Sequence, residues 1–207
     1  MAALQLSNLQ CSLLTDDLAA LNHIPAMQRR RLSALAKLAL NSAMQVLKQQ
    51  SVDYIVWVSQ YGDEHKTYKI LEDVLQQQTP SPTQFSTSVH NAIAGLYSIL
   101  MQDATPSTSL SASWTEALFE AYAYLGLHAP NGQALVVYYE NPLPEIYLEH
   151  QDFTAFSLAA VVSLQQPNLK LNLQQMSNQK HKYLEAQDFQ NFWHNSAQSN
   201  CYVWQKC

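Results

Sequence analysis

The chain has 207 residues and is 47% apolar, enough to bury one core, yet only 13% are charged, with Gln, Asn, Ser and Thr carrying much of the polarity. A formal net charge of −5 gives no electrostatic basis for gripping nucleic acid or an anionic membrane, and so little charge suits a surface that a partner covers. Three cysteines, Cys11, Cys201 and Cys207, are odd in number and contain no CxxC pair, so they are expected as free thiols rather than as a disulfide framework.

The first residues lack the basic start and long apolar run of a secretory signal, and no run of 18 apolar residues occurs anywhere. The expectation is a cytoplasmic protein of one domain spanning 1–207, with no membrane insertion. A short helical stretch is expected from Thr15. The spacing of Met27, Leu32, Leu35, Ala39, Ala43, Met44 and Leu47 then predicts one long amphipathic helix over 26–49. Tyr54–Val58 is a continuous β-favouring run, as in a strand covered on both faces. A second amphipathic helix, over 66–77, carries Tyr68, Leu71, Val74 and Leu75, and stops at Thr79-Pro80-Ser81-Pro82.

Apolar spacing predicts a helix from Phe85 to Met101, with Gly95 inside it for a packing reason. Ser107–Ser113 reads as a strand, and Ser113-Trp114-Thr115-Glu116 has the capping-box spacing that opens a helix to about Leu125. Gln133–Glu140 and Phe153–Leu164 read as strands, with Pro142 and Pro144 between them. In the tail, Leu169, Leu171 and Leu173 alternate, and Phe189, Phe192 and Trp193 mark an apolar stretch over 185–195. Alternating strands and helices give an α/β layered fold.

Common catalytic signatures are missing. Four glycines assemble neither a dinucleotide fingerprint nor a phosphate loop; Gly62 to Thr67 ends like the latter but lacks its second glycine. No HExxH, GxSxG or SxxK occurs, and the spacings of His181, His194, Cys201 and Cys207 match no usual metal-ligand pattern. Neither a metal nor a cofactor is expected. A thiol-dependent acyl-thioester enzyme using Cys11 or a tail cysteine, Cys201 or Cys207, with His181 or His194 as the base for Cys201, is the alternative the residue types leave open.

The string Ser81-Pro82 through Ser88-Val89-His90-Asn91-Ala92 to Ala94-Gly95 resembles the N-terminal half of β-ketoacyl synthases, and Pro106 to Ser113 resembles the family strand leading into the nucleophile turn. The resemblance is strongest over 25–165, including Arg29 to Ser33, Val58 to Gly62 and Ala134 to Glu140, with 166–207 a tail of uncertain structure. It implies a partial thiolase-like fold, the ketosynthase N-terminal half, and it puts Trp114 where the catalytic cysteine belongs. That cysteine sits at a helix N-terminus whose dipole helps to form the thiolate, whereas an indole offers no nucleophile and fills the space. The family's two histidines and lysine belong to a C-terminal half with no counterpart here.

Short chains of this kind resemble chain-length-factor-like components of bacterial aryl polyene clusters. The resemblance implies a pseudoenzyme that pairs with a full-length β-ketoacyl synthase and shapes its acyl tunnel, with an acyl carrier protein as a further partner. Gln84 and Phe85, backed by Leu71 and Leu75, become gate candidates, the bland alternative being ordinary core residues. Ser107, Ser109, Ser111 and Ser113, with His90 and Asn91, become interface candidates; His90 and Asn91 serve equally to cap buried backbone groups. Arg29 to Arg31 suit a solvated helix start better than a docking site. An inert scaffold without influence on product length is the remaining alternative.

Overall fold

A computed structural model describes residues 1–172, 174, 179–196 and 203–207. The N-terminal residues, to which sequence patterning assigns no element, form a long strand, β1 (Ala2–Leu13). Its pattern is hidden by a bulge. Ala2, Leu4 and Leu6 face the same core as Leu9, Cys11 and Leu13, so the apolar positions change from even to odd across Asn8. There φ is 54° and the pairing register slips between Ser7 and Gln10.

The expected helix near Thr15 is a 3-10 turn at Ala19–His23. The single helix expected over 26–49 is two, α1 (Ala26–Arg29) and α2 (Ala34–Leu47). Ser33 causes the break: with ψ of 165° its hydroxyl accepts the Ala36 N–H at 3.1 Å, which caps a new helix instead of continuing the old one. Met27 accordingly lies outside the apolar stripe and is 72% exposed, whereas Leu35, Ala39, Ala43 and Leu47 are buried.

All six residues of β2 (Tyr54–Ser59) are buried. After α3 (Glu64–Leu75) comes a second correction: the helix expected from Phe85 to Met101 is divided into α4 (Pro82–Ser88) and α5 (Ala92–Met101), because Val89 is extended at ψ 151°. The chain continues through β3 (Ser107–Ser111), α6 (Trp114–His128), β4 (Gln133–Glu140), β5 (Phe156–Ser163), β6 (Leu169–Leu171), α7 (Lys182–His194) and β7 (Trp204–Lys206). Leu173 and Cys201 lie outside the described residues.

These strands make one sheet in the order β3-β2-β4-β5-β1-β6-β7. β2 runs parallel to β3 and β4, while β5 runs antiparallel to β4 and β1. Alternation assigns the faces. Tyr54, Val56 and Val58 of β2, with Val136 and Tyr138 of β4, point to a core shared with α6 and α7. Ile55, Trp57, Leu135, Val137 and Tyr139 point to a second core under α2 and α5. The result is a mixed α/β layered fold with the turn between β3 and α6 at the carboxyl end of the parallel strands, where open α/β sheets place their sites.

Candidate functional site

The turn between β3 and α6 is built by a complete capping box: Ser113 Oγ accepts the Glu116 N–H (3.3 Å) and Glu116 Oε2 accepts the Ser113 N–H (2.6 Å). Trp114 is therefore the first residue of α6, with no exposed surface. Its ring packs 5.4 Å from that of Phe189, and its buried indole N–H has no hydrogen-bond acceptor among the described residues. Ser113, an interface candidate, is itself buried and uses its hydroxyl in the cap.

Next to this turn, at the ends of β2 and β4, lies a polar network that residue patterns did not single out. Glu140 is 2% exposed; it accepts from Ser59 Oγ (3.0 Å), the Gln60 N–H (2.6 Å) and the Tyr138 hydroxyl (3.0 Å). Burial pushes its carboxyl up to about 7, against the hydrogen bonds that favour the charged form. Burial, reinforced by Glu140, likewise raises the Tyr138 phenol well above its ordinary value. Gly62, at φ +74°, lets the loop after β2 turn so that its N–H reaches Ser59 Oγ (2.7 Å); a Cβ there would meet His90 Nδ1 at 3.1 Å. The space left beside Gln60, Glu140, His181 and Tyr183 is about 10 Å³, room for about one water. A Glu ending an apolar strand was the available signal for this network.

The remaining candidates fall into two groups. Along the sheet edge, Asn91 lines one groove of about 410 Å³ with Ser107, Ser109 and Gly95. Gly95 faces open space there, so no close neighbour among the described residues supplies its expected packing reason. No strand lies beyond β3 among the described residues. The Ile55 N–H donates to Pro106 O (3.0 Å), which in a parallel ladder turns the backbone groups of Ser107, Ser109 and Ser111 toward the open edge. His90 is directed at Gly62 instead of this groove, and its Nε2 is buried without an acceptor or donor partner among the described residues.

The second group is outward-facing. Leu71, Leu75 and Phe85 are 50%, 84% and 64% exposed, so the core-residue alternative does not hold for them. α3 packs beside α4 with its apolar stripe turned away from the sheet, and Asp73 is its buried residue. Gln84 closes the α4 capping box with Ser81 through paired bonds of 3.0 and 2.9 Å.

Of the thiols, Cys11 is half-buried on β1, and burial pushes it up, away from an activated thiolate; Cys207 is exposed. Among the described residues no three His, Cys, Asp or Glu side chains gather as a metal site. Nor is any described helix long and apolar enough to cross a membrane. A wider cleft of about 760 Å³ lies at the opposite end of the parallel strands, between Met44, Leu47, Tyr97 and Asp103, and contains none of the candidates.

A model of the β-ketoacyl synthase N-terminal domain matches residues 6–206. The chain belongs to the β-ketoacyl synthase family. Among solved structures, this ketosynthase-like chain is similar, at 26% identity and a TM-score of 0.78, to a chain of the ketosynthase ApeO in complex with its chain length factor ApeC from Xenorhabdus doucetiae, covering 93% of this chain and 92% of that one. It also matches the AntDE:AntF assembly, a type II polyketide acyl-carrier protein in complex with its ketosynthase bound to the hexaketide: 13% identity, TM-score 0.58, 83% of this chain and 67% of that. MvaS in complex with 3-hydroxy-3-methylglutaryl coenzyme A matches at 12% identity and a TM-score of 0.50, over 84% of this chain and 43% of that one. The last two likenesses bear on fold alone. No curated protein matches the chain.

Proposed function

We propose that this chain is a non-catalytic ketosynthase-like subunit that pairs with a full-length β-ketoacyl synthase and shapes the synthase's acyl tunnel, setting the chain length of a polyene or polyketide. Trp114 carries the proposal. By the resemblance of Pro106 to Ser113 it takes the place of the family's nucleophile, and it is the first residue of a capped helix and fully buried. The helix N-terminus that would stabilise a thiolate is intact, while the side chain offers no atom that can take an acyl group.

A pairing role is supported by the surface around the sheet edge. From Val74 to Thr115 the sole Asp, Glu, Lys or Arg is Asp103. Yet Phe85, Val89 and Ile99 are 64%, 43% and 74% exposed in this stretch. Interface cores lose charge and keep apolar and small polar residues, so a face of this kind is suited to burial. The open backbone groups of Ser107, Ser109 and Ser111 supply a strand edge to pair, and Gln84 and Phe85 at the start of α4 supply side chains to reach into a partner's tunnel, with Leu71 and Leu75 behind them. The similarity to a chain of the ApeO–ApeC complex supports the same reading, with a chain length factor as this chain's counterpart, an aryl polyene pathway as the setting and an acyl carrier protein as a transient further partner.

Co-expression with the β-ketoacyl synthase of an aryl polyene cluster, followed by size-exclusion chromatography with mass detection, tests the proposal. A one-to-one complex is expected. A well-behaved monomer that ignores such synthases overturns it.

A further inference from the structure

The first turn of α6 points into the protein, and α7 is what meets it. Glu185, 3% exposed, accepts the Thr115 N–H through Oε1 at 2.9 Å. Thr115 Oγ1 accepts the Trp204 indole N–H at 2.9 Å, and Phe189 lies against Trp114. Three more contacts clamp the start of α7: Lys182 Nζ stands 3.3 Å from Glu116, and the Gln60 side chain accepts the Lys182 N–H (2.9 Å) while donating to Lys180 O (2.9 Å). Four side chains from two elements, Lys182, Glu185 and Phe189 of α7 and Trp204 of β7, thus converge on a helix end whose backbone N–H groups need buried partners.

We infer that α7 is a built-in occupant of the nucleophile turn, with Glu185 placing its carboxyl oxygen where the helix N-terminus would otherwise hold a thiolate or a thioester oxygen. Two devices then disarm the position independently: Trp114 removes the nucleophile, and Glu185 takes the positive end of the helix dipole. Glu185 is a positioning residue; it holds α7 down and sets the local field. The consequence is a turn sealed from within, closed to an acyl group even when a cysteine is supplied. This inference rests on the reading of Trp114 as the family's nucleophile position and on the contacts of α6 and α7, and does not depend on the pairing reading.

The experiment restores the thiol and reads its chemistry in the full chain. Trp114→Cys and the double variant Trp114→Cys/Glu185→Gln are alkylated with iodoacetamide at pH 7 and at pH 10, after melting curves confirm that both fold, and the label at position 114 is followed by peptide mass mapping, because Cys11, Cys201 and Cys207 alkylate too. The nearby ionisable groups besides Glu185 are Glu116 and Lys182, which pair with each other, and Tyr138, and all three are common to both proteins. Removing the Glu185 carboxylate both lowers the pKa of the thiol and loosens α7, so the double variant reacts faster at both pH values, with a gain about tenfold larger at pH 7 than at pH 10, where the thiol is ionised in both. Equal rates at both pH values overturn the inference, and so does a gain no larger at pH 7 than at pH 10, because Glu185 then sets no field at the turn. If the cysteine variants do not fold, Glu185→Gln alone gives the second reading. Trypsin cleavage after Lys180 and Lys182 is then expected to be about fivefold faster, as the charge–dipole attraction is lost and α7 opens more often; an unchanged rate overturns the inference.

Discussion

Asn91, at the start of α5, and Ser109, midway along β3, line the same groove beside the open edge of the sheet. The main chain of Ser109 faces outward and that of Leu110 faces β2, as the parallel register of Trp57 with Ser109 and the bond from Ile55 to Pro106 require. Proline therefore acts oppositely at two adjacent positions. Ser109→Pro removes an N–H that no partner among the described residues uses, so the fold survives with its melting point within a few degrees, while binding to the synthase weakens at least about tenfold. Leu110→Pro removes a ladder bond and loses roughly 3 kcal/mol. Chemical denaturation and chromatography with the synthase separate the two. A Ser109→Pro chain that folds and binds normally rules out pairing through β3.

Phe85 divides tunnel shaping from simple adhesion. Because it is 64% exposed, Phe85→Ala is expected to change stability by less than about 0.5 kcal/mol. Gln84→Ala loses half of a capping box and about 1 kcal/mol. In the complex, Phe85→Ala shifts the product distribution of the synthase toward longer chains, read by mass spectrometry of the acyl products. A complex of unchanged stoichiometry with an unchanged product distribution points to a scaffold and removes chain-length control from the proposed function.

Strand β2, strand β4 and the capped turn at Ser113 were legible because each carries its signal within a few neighbouring residues: unbroken β-branched and aromatic runs, or serine three positions before glutamate. The extent of the two helices was not, since Ser33 and Val89 interrupt apolar spacings that are otherwise continuous. β1 escaped because its bulge at Asn8 reverses the alternation halfway. The direction in which Leu71 and Leu75 point was beyond any periodicity argument: an amphipathic stripe establishes that a face is covered, and not whether the cover is the same chain. Glu140 and Glu185 belong to contacts that span 80 and 70 residues. Such pairings are set by tertiary packing: a glutamate ending an apolar strand is the one local sign of the first, and the second leaves none.

The raised carboxyl of Glu140 makes stability fall as the solution becomes more alkaline. Its folded value of about 7 lies above its ordinary 4.5, so the fold favours the protonated form. That contribution is fully present below about pH 4.5 and is lost as the pH rises through 7, for a total of roughly 3 kcal/mol. Glu140→Gln keeps an acceptor for the Gln60 N–H but no longer ionises. Urea denaturation at pH 5 and pH 8 should show a decline in the natural chain and a flatter dependence in Glu140→Gln. Parallel slopes in the two proteins would mean that other groups govern the decline.

Trp114 links the stability of the chain to its proposed non-catalytic role. The indole fills the core between α6 and α7, so Trp114→Ala opens a cavity and is expected to lose about 3–5 kcal/mol. Trp114→Phe trades lost volume against removal of a buried N–H with no acceptor among the described residues, an orphan that itself costs about 1–3 kcal/mol. The phenylalanine variant should therefore lie within about 1.5 kcal/mol of the natural chain, and the gap between the two substitutions measures packing without the polar group. Neither change touches the outward backbone of β3, so both variants should still bind the synthase wherever they remain folded. Trp114→Cys goes further, because on the proposed reading it puts a thiol back at the family's nucleophile position while Glu185 stays on the Thr115 N–H and α7 stays over the site. No condensation is expected from that variant alone, assayed with acyl and malonyl thioesters of a carrier protein. Turnover by it in the absence of a synthase would show that the turn is open and armed, and would end the reading of this chain as a non-catalytic partner.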